Sequence, residues 1–122
     1  MTEERKILDE LIEIFDIKDV DFLGDKITKK NSLQYHHIVF KSNGGKTTLD
    51  NGAPLTKKSH SLFHRIVNNQ YITSKKITRE FKSLNESKMP PTKEYYENIK
   101  ELLQEYQIKE EKRNKLTRNR VK

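Results

Sequence analysis

The chain contains no cysteine, which excludes disulfide bonds and gives no sign of a secreted, disulfide-rich scaffold. Long apolar runs are missing too, since none approaches the roughly 18 residues that a membrane-spanning helix needs. The N-terminus begins with Thr2-Glu3-Glu4 rather than with the basic segment and apolar core of a secretory leader. These absences predict an intracellular, cytoplasmic protein with no membrane partner, and a phage origin fits them as well.

Apolar residues are scarce, because only 32% of the chain is hydrophobic while 35% is charged. A chain of 14.5 kDa forms one domain and buries about two-thirds of its unfolded surface, so its core is expected to be small. The sequence divides into an acidic helix with its connector (1–30), a histidine-containing core (31–70) and a helical extension with a basic tail (71–122).

The charge is basic overall and unevenly distributed. The chain has 25 lysines and arginines against 18 acidic residues, a net charge of +7. Residues 1–22 contain three basic and eight acidic side chains, whereas residues 109–122 contain seven basic and two acidic ones. This asymmetry favours a polyanionic partner, DNA, on one side, with the acidic side turned away from it. The alternative is that these charges are solvated helix faces in a lysine-rich chain.

Apolar spacing predicts a mixed α+β chain. Four helices are expected, over 3–15, 57–69, 74–84 and a long stretch after Thr92. Thr2, Thr56 and Thr92 are the expected N-caps. The long helix has an apolar stripe, which consists of Tyr96, Ile99, Leu102, Leu103 and Tyr106. Residues 33–40 and 53–55 are predicted to be strands, and the Gly-rich segment between them must turn.

All four histidines of the chain lie between residues 36 and 64. They form an adjacent pair, His36-His37, and a second pair, His60 and His64, at helical i, i+4 spacing. Imidazole is the commonest metal ligand and titrates near neutral pH without perturbation. This grouping indicates a metal site with a general base beside it.

The histidine spacing resembles the HNH endonuclease family and its ββα-metal motif. The matching positions, which span about residues 33–70, are His36-His37-Ile38, Ser42, Gly44-Gly45, Asn51, His60 and His64. Phe40 stands where the family often has proline, and the cysteine pairs of many members are missing, so the chain looks like the cysteine-free branch. The resemblance implies a small α+β fold, in which a ββα-metal centre is flanked by an N-terminal helix and C-terminal helices.

The same resemblance implies a metal-dependent endonuclease that hydrolyses DNA phosphodiester bonds. His36, His60 and His64 would bind one divalent ion (Mg, Mn, Ni or Zn). His37 would be the general base, and Asn51 would hold the loop and orient that base. Successive residues on a strand point to opposite faces, so His36 and His37 suit separate tasks. The alternatives are polar residues on a strand edge or helix face for the histidines, and an ordinary Asn51-Gly52 turn.

Two basic groups are candidate contacts with nucleic acid. Lys57 and Lys58 fall in the first turn of a helix, where cations oppose the helix dipole but suit a phosphate. The other candidates, in the C-terminal tail, are Lys112, Arg113, Lys115, Arg118 and Arg120. Either group could instead be an ordinary solvated surface.

Two functions of another class compete with the nuclease. One is a non-catalytic nucleic-acid-binding module whose metal is purely structural. The other is an interaction protein whose long C-terminal helix pairs with a partner through its apolar stripe. A general base at His37 favours the enzyme, since a structural metal site has no use for one.

Overall fold

A computed structural model describes the backbone of residues 2–121 and the side chains of residues 2–115. The chain is mixed α+β, as predicted, with a two-stranded antiparallel sheet between helical layers. Its elements are α1 (Glu3–Ile14), β1 (Leu33–His37), β2 (Gly52–Thr56), α2 (Lys57–Asn69), α3 (Tyr71–Ser87) and α4 (Lys93–Val121). One face of the sheet packs on α1, and the other packs on α2 and α3.

The strand pairing separates neighbouring residues of β1 between these two layers. His36 is opposite Ala53 and His37 is opposite Gly52. Gly52 lies against α1, since a Cβ added there would come within 2.5 Å of Leu11 and of Tyr35. His36, by contrast, makes an edge contact with Phe63 of α2. Alternation along the strand therefore sends one histidine to each layer.

The three predicted N-caps are confirmed. The side-chain oxygens of Thr2, Thr56 and Thr92 accept hydrogen bonds from backbone amides three residues on, at 3.1–3.2 Å. Each cap satisfies an amide that the helix itself leaves without a partner. The α2 boundaries agree with the prediction, which fixes the positions of His60 and His64 on the first two turns.

β1 ends at His37, three residues before the predicted end at Phe40. The next backbone groups bond to Asn51 instead of extending the strand pairing: Ile38 N donates to the Asn51 carbonyl and Val39 N to the Asn51 side chain. Residues 38–40 continue the hydrophobic run of the sequence, but the backbone amides of Ile38 and Val39 bond to Asn51 alone instead of to β2.

The prediction for α3 was too short, because the helix extends from Tyr71 to Ser87. Ser74, expected near the helix start, lies inside it and donates its hydroxyl hydrogen to Tyr71 O at 2.6 Å. Only Gln70 separates α2 from α3, with φ −144° and ψ 77°. The two helices therefore form a tight corner beside the sheet.

Phenylalanines from separate elements form the centre of the core. Phe81 of α3 contacts Phe22 and Phe63, with ring centroids 6.2 and 5.5 Å apart. On α4, Ile99 and Tyr106 are buried as predicted. Tyr95, absent from the predicted stripe, is also buried and donates to Phe22 O at 2.6 Å. Within the described part of the chain, no helix has the length and apolar character to cross a membrane.

Candidate metal centre

Three imidazoles converge between β1 and α2. His36 comes from the strand, while His60 and His64 come from the helix. One candidate ligand nitrogen from each residue lies within 4.8 Å of the other two. Nitrogens bound to a single tetrahedral ion are roughly 3.3 Å apart, given metal–nitrogen bonds of about 2.0–2.1 Å. Modest side-chain rotation closes that difference, so the cluster can hold a metal ion.

The His36 ring nitrogen Nε2 is the clearest sign of a ligand. The residue is 1% exposed, and Nε2 has no hydrogen-bond partner among the described residues. Leaving a buried polar atom unpaired costs about 1–3 kcal/mol. Burial, followed by the neighbouring His60 and His64, lowers the pKa of His36 to about 3. The ring is therefore neutral at pH 7, and a neutral imidazole is the form that binds a metal.

Aromatic side chains fix the orientation of His36. Its ring makes edge contacts with Phe63 at 4.9 Å, Phe81 at 5.7 Å and Phe40 at 6.0 Å between centroids. Phe40 also lies 5.7 Å from the His64 ring. Side chains in a close-packed core have little freedom to rotate, so the ligand is held in place before an ion arrives.

Gln34 contacts a second candidate ligand, His60, and was not predicted from the sequence. Its Oε1 lies 2.9 Å from His60 Nδ1. When Nδ1–H donates to that oxygen, Nε2 of His60 is left free for the metal, which is how outer ligands commonly fix the tautomer. Gln34 and His36 are two residues apart on a strand and share a face. The i, i+2 spacing of Gln34 and His36 on a predicted strand could have identified Gln34 from the sequence.

His37 lies outside the ligand cluster, on the α1 face of the strand. Its ring stands edge-on to Tyr35, with centroids 4.6 Å apart, and its Nε2 is 2.9 Å from Thr47 Oγ1. Burial and then Lys41 lower its pKa below the usual value, while Glu4 opposes them. The ring is therefore neutral at pH 7 and can accept a proton.

Asn51 holds together both ends of the loop between the strands. Its Oδ1 accepts from Val39 N at 2.7 Å, and its Nδ2 donates to Val39 O at 3.0 Å and to Lys46 O at 2.9 Å. Among the described residues no hydrogen bond joins Asn51 directly to His37. The link is indirect, because Asn51 anchors Lys46 and the next residue, Thr47, contacts the imidazole.

The loop has two glycines, one at a position with a left-handed backbone and one at a position with no room for a side chain. Gly44 has φ +89°, a left-handed conformation that L side chains rarely adopt. Gly45 sits so close to the chain that an added Cβ would lie 1.7 Å from Val39 O. This pair lets the loop fold back onto the segment that Asn51 holds.

The backbone amides in the first turn of α2, which could have bound a phosphate, are hydrogen-bonded within the protein. Lys57 N donates to Ser32 O at 3.1 Å, and Lys58 N donates to Asn31 Oδ1 at 3.0 Å. Ser59 N is taken by the Thr56 cap. Because these amides are already bonded, a phosphate at this helix end would meet only the exposed lysine side chains.

The basic tail continues α4 away from the core. Lys112, Arg113 and Lys115 are exposed, and Arg113 forms an ion pair with Glu110 at 3.2 Å. The side chains of Arg118 and Arg120 lie outside the described residues. The predicted contact of this segment with DNA therefore remains a prediction.

The acidic N-terminal helix begins beside the histidines rather than on a remote side. Glu4 and Arg5 line a cleft of about 400 Å³ together with Gln34 and His60. Burial, followed by His64 and His37, lowers the pKa of His60, and Glu4 opposes this shift as it does at His37. The first turn of α1 therefore places an acidic side chain beside the histidine cluster, and the expectation that the acidic side is turned away from DNA stays a prediction.

No family model, curated protein or solved structure matches the chain. The likeness to the HNH family therefore depends on the spacing of the histidines and Asn51. In the structure a strand, a looped return, a second strand and a helix carry these residues.

Proposed function

We propose that the protein is an HNH-type endonuclease that uses a divalent metal ion to hydrolyse phosphodiester bonds in DNA. One observation carries the proposal. His36, His60 and His64 converge on one side of β1, while a fourth imidazole, His37, lies next to them but outside the cluster. A structural metal site explains the first three residues and leaves the fourth without a role.

The residues divide the work of hydrolysis between them. His36, His60 and His64 hold the ion, which when bound supplies charge stabilisation at the phosphate and the departing oxygen. His37 takes a proton from the attacking water. When Thr47 Oγ1 accepts from Nε2–H, the basic atom of His37 is Nδ1. Asn51 acts on this base through the loop, because it anchors the segment that carries Thr47.

Charge supports DNA as the substrate. The chain carries +7, and exposed lysines at positions 57 and 58 begin the helix that carries His60 and His64. Lys57, His60 and His64 share one helix face at i, i+3 and i+7. A phosphate near the ion would therefore meet a cation one turn away.

A non-catalytic module with a structural metal is the second candidate, and the burial of His36 favours it. The ring is part of the aromatic core, so an ion bound there would also stabilise the fold. In that module, removing the metal unfolds the protein. In the nuclease, a chelator stops cleavage while the core around Phe22, Phe63 and Phe81 keeps its structure.

Incubation with supercoiled plasmid separates these two functions. Protein stripped with EDTA and then supplied with Mg²⁺, Mn²⁺, Ni²⁺ or Zn²⁺ is assayed for nicking, and circular dichroism follows its fold in parallel. The nuclease predicts cleavage with at least one ion, none in EDTA and helical content unchanged by EDTA. An intact, metal-loaded protein that leaves plasmid uncut with every ion would overturn the proposal.

A further inference from the structure

A groove of about 430 Å³ lies next to the metal centre, between the segment after β1 and the start of α3. Val39 and Phe40 line one side, and Tyr71 lines the other. Phe40 belongs to both sites, since its ring also contacts His36 and His64. The groove is thus separated from the histidine cluster by one aromatic ring.

The groove exposes apolar surface that the core does not use. Tyr71 is 60% exposed and Val39 is 47% exposed. Lys75 Nζ lies 5.3 Å from the centre of the Tyr71 ring, a cation–π contact that places a positive charge directly beside the aromatic surface. An exposed ring with a neighbouring cation is suited to a ligand that is both planar and anionic.

Three cations follow one face of α3 along this groove. Lys75, Arg79 and Lys82 lie at i, i+4 and i+7, which covers about 10 Å of helix. All three are exposed, and none forms an ion pair with another described residue. Lys76, on a different face of α3, is paired with Glu105 at 3.0 Å. Of the described side chains that line the groove, none is acidic.

We propose that this groove binds single-stranded DNA, with an unpaired base stacked on Tyr71 and the phosphates on Lys75, Arg79 and Lys82. Stacking on an aromatic side chain combined with cations along the backbone is the usual way to hold an unpaired strand. A duplex would meet the cations but leave Tyr71 and Val39 uncovered, because its base faces are already stacked. The inference rests on the proposed function, since it names the form of DNA that leads into the metal centre.

Tyr71 provides the first test. Binding of a fluorescent deoxythymidine 15-mer and of a duplex of equal length is measured by anisotropy in EDTA, where no cleavage occurs. Tyr71→Ala should weaken single-strand binding roughly 5-fold to 100-fold, the usual loss for one stacked base. Tyr71→Phe should retain binding. The control is Ile72→Ala, at a neighbour that is 63% exposed but does not line the groove.

The cations provide the second test, with charge loss matched between two surfaces. Arg79→Gln/Lys82→Gln removes two groove cations, while Lys93→Gln/Lys100→Gln removes two exposed lysines of α4 that do not line the groove. For single strands, the slope of log affinity against log salt flattens by about 0.7 for each phosphate that the protein no longer neutralises. The Arg79→Gln/Lys82→Gln variant should therefore flatten the slope by about 1.4, whereas the Lys93→Gln/Lys100→Gln variant should leave the slope unchanged.

Equal affinity for single strand and duplex, or a Tyr71→Ala variant that binds the 15-mer as well as the wild type, would overturn the inference. Equal salt slopes for the two double variants would do the same. None of these results depends on turnover. A protein that cuts plasmid without using the groove would refute this inference alone, whereas one that binds the 15-mer through Tyr71 but never cleaves would refute the proposed function alone.

Discussion

The two faces of β1 place the same side chain, imidazole, in opposite environments. On the face towards α2, His36 is enclosed by aromatic rings, and its Nε2 has no hydrogen-bond partner in the part of the chain that the structure describes. On the face towards α1, His37 is only partly buried, and its Nε2 contacts Thr47. A ligand benefits from rigid packing and a free lone pair. A base benefits from a polar contact that sets its tautomer and from access to solvent.

Strand alternation accounts for the separate tasks that the proposed function gives to two adjacent residues. A strand sends successive side chains to opposite faces. β1 ends at His37, and the backbone that follows it is hydrogen-bonded to Asn51 instead of to a strand. Helices α2 and α3 therefore fix the position of the proposed ligand His36 on one side. On the other side, the loop residue Thr47 contacts the proposed base His37. His37 and Thr47 can be changed on one side of the strand and His36 and Gln34 on the other, whereas residues 112–122 belong to neither side.

The largest expected effect comes from His37→Ala. Removing a general base typically lowers the rate by about 10²–10⁴-fold, and this position is outside the ligand cluster. Plasmid nicking should fall by that factor while the circular dichroism spectrum stays the same. Thr47→Ala, which removes only the contact to Nε2, should show a smaller loss. Undiminished nicking by purified His37→Ala would exclude His37 as the base.

His36→Leu should abolish cleavage and raise the free energy of unfolding. Leucine fills a similar space among Phe40, Phe63 and Phe81 and removes the unpaired nitrogen, whose burial costs about 1–3 kcal/mol. In EDTA, urea unfolding should show a free energy of unfolding at least equal to that of the wild type and higher by up to about that amount. Cleavage should be lost. His37→Leu, on the opposite face, should give no such gain. A His36→Leu protein that is clearly less stable than the wild type would argue against an unsatisfied Nε2.

Gln34→Ala should weaken metal binding without affecting the ligands themselves. Losing an outer hydrogen bond to a metal-binding histidine typically costs about 10–100-fold in affinity. Gln34→Glu retains an oxygen to accept from His60 Nδ1–H and should keep the wild-type affinity for Ni²⁺, measured by calorimetry. If the alanine and glutamate variants bind alike, the 2.9 Å contact has no positioning role.

Deleting residues 112–122 should have the smallest effect, because it leaves both faces of β1 intact. Lys112, Arg113 and Lys115 are exposed, so folding should be almost unchanged. Affinity for unrelated duplexes should fall to a similar degree for each. The salt slope for duplex DNA should flatten by about 0.9 for every phosphate that the tail neutralises in the intact protein. An unchanged slope would show that the tail touches no DNA.

Local signals were sufficient to predict α1, α2 and the start of α4, but they missed the first three and the last three residues of α3. Thr56 caps α2 as expected, and the i, i+4 spacing of His60 and His64 placed both on the same side of that helix. The face separation of His36 and His37 followed from strand alternation alone. These features depend on residues within a few positions of each other, which is why one sequence was enough.

Long-range contacts account for what the sequence did not predict. Gln34 reaches His60 across 26 positions, and Asn51 ends β1 by bonding to Val39, 12 positions earlier. Glu4 comes close to the site only because α1 packs on the sheet. The loss of free amides at the start of α2 likewise depends on Ser32 and Asn31, which the tertiary fold brings to that helix end.

Calorimetric titration of Ni²⁺ into five proteins tests the division of labour most directly: the wild type and the alanine variants of His36, His37, His60 and His64. Parallel plasmid assays report on cleavage. Affinity should fall sharply for His36, His60 and His64 and remain at the wild-type level for His37, while all four variants lose cleavage. Equal Ni²⁺ affinity in all five proteins, or a loss with His37→Ala as large as with His36→Ala, would contradict a metal centre on one face of β1 and a base on the other.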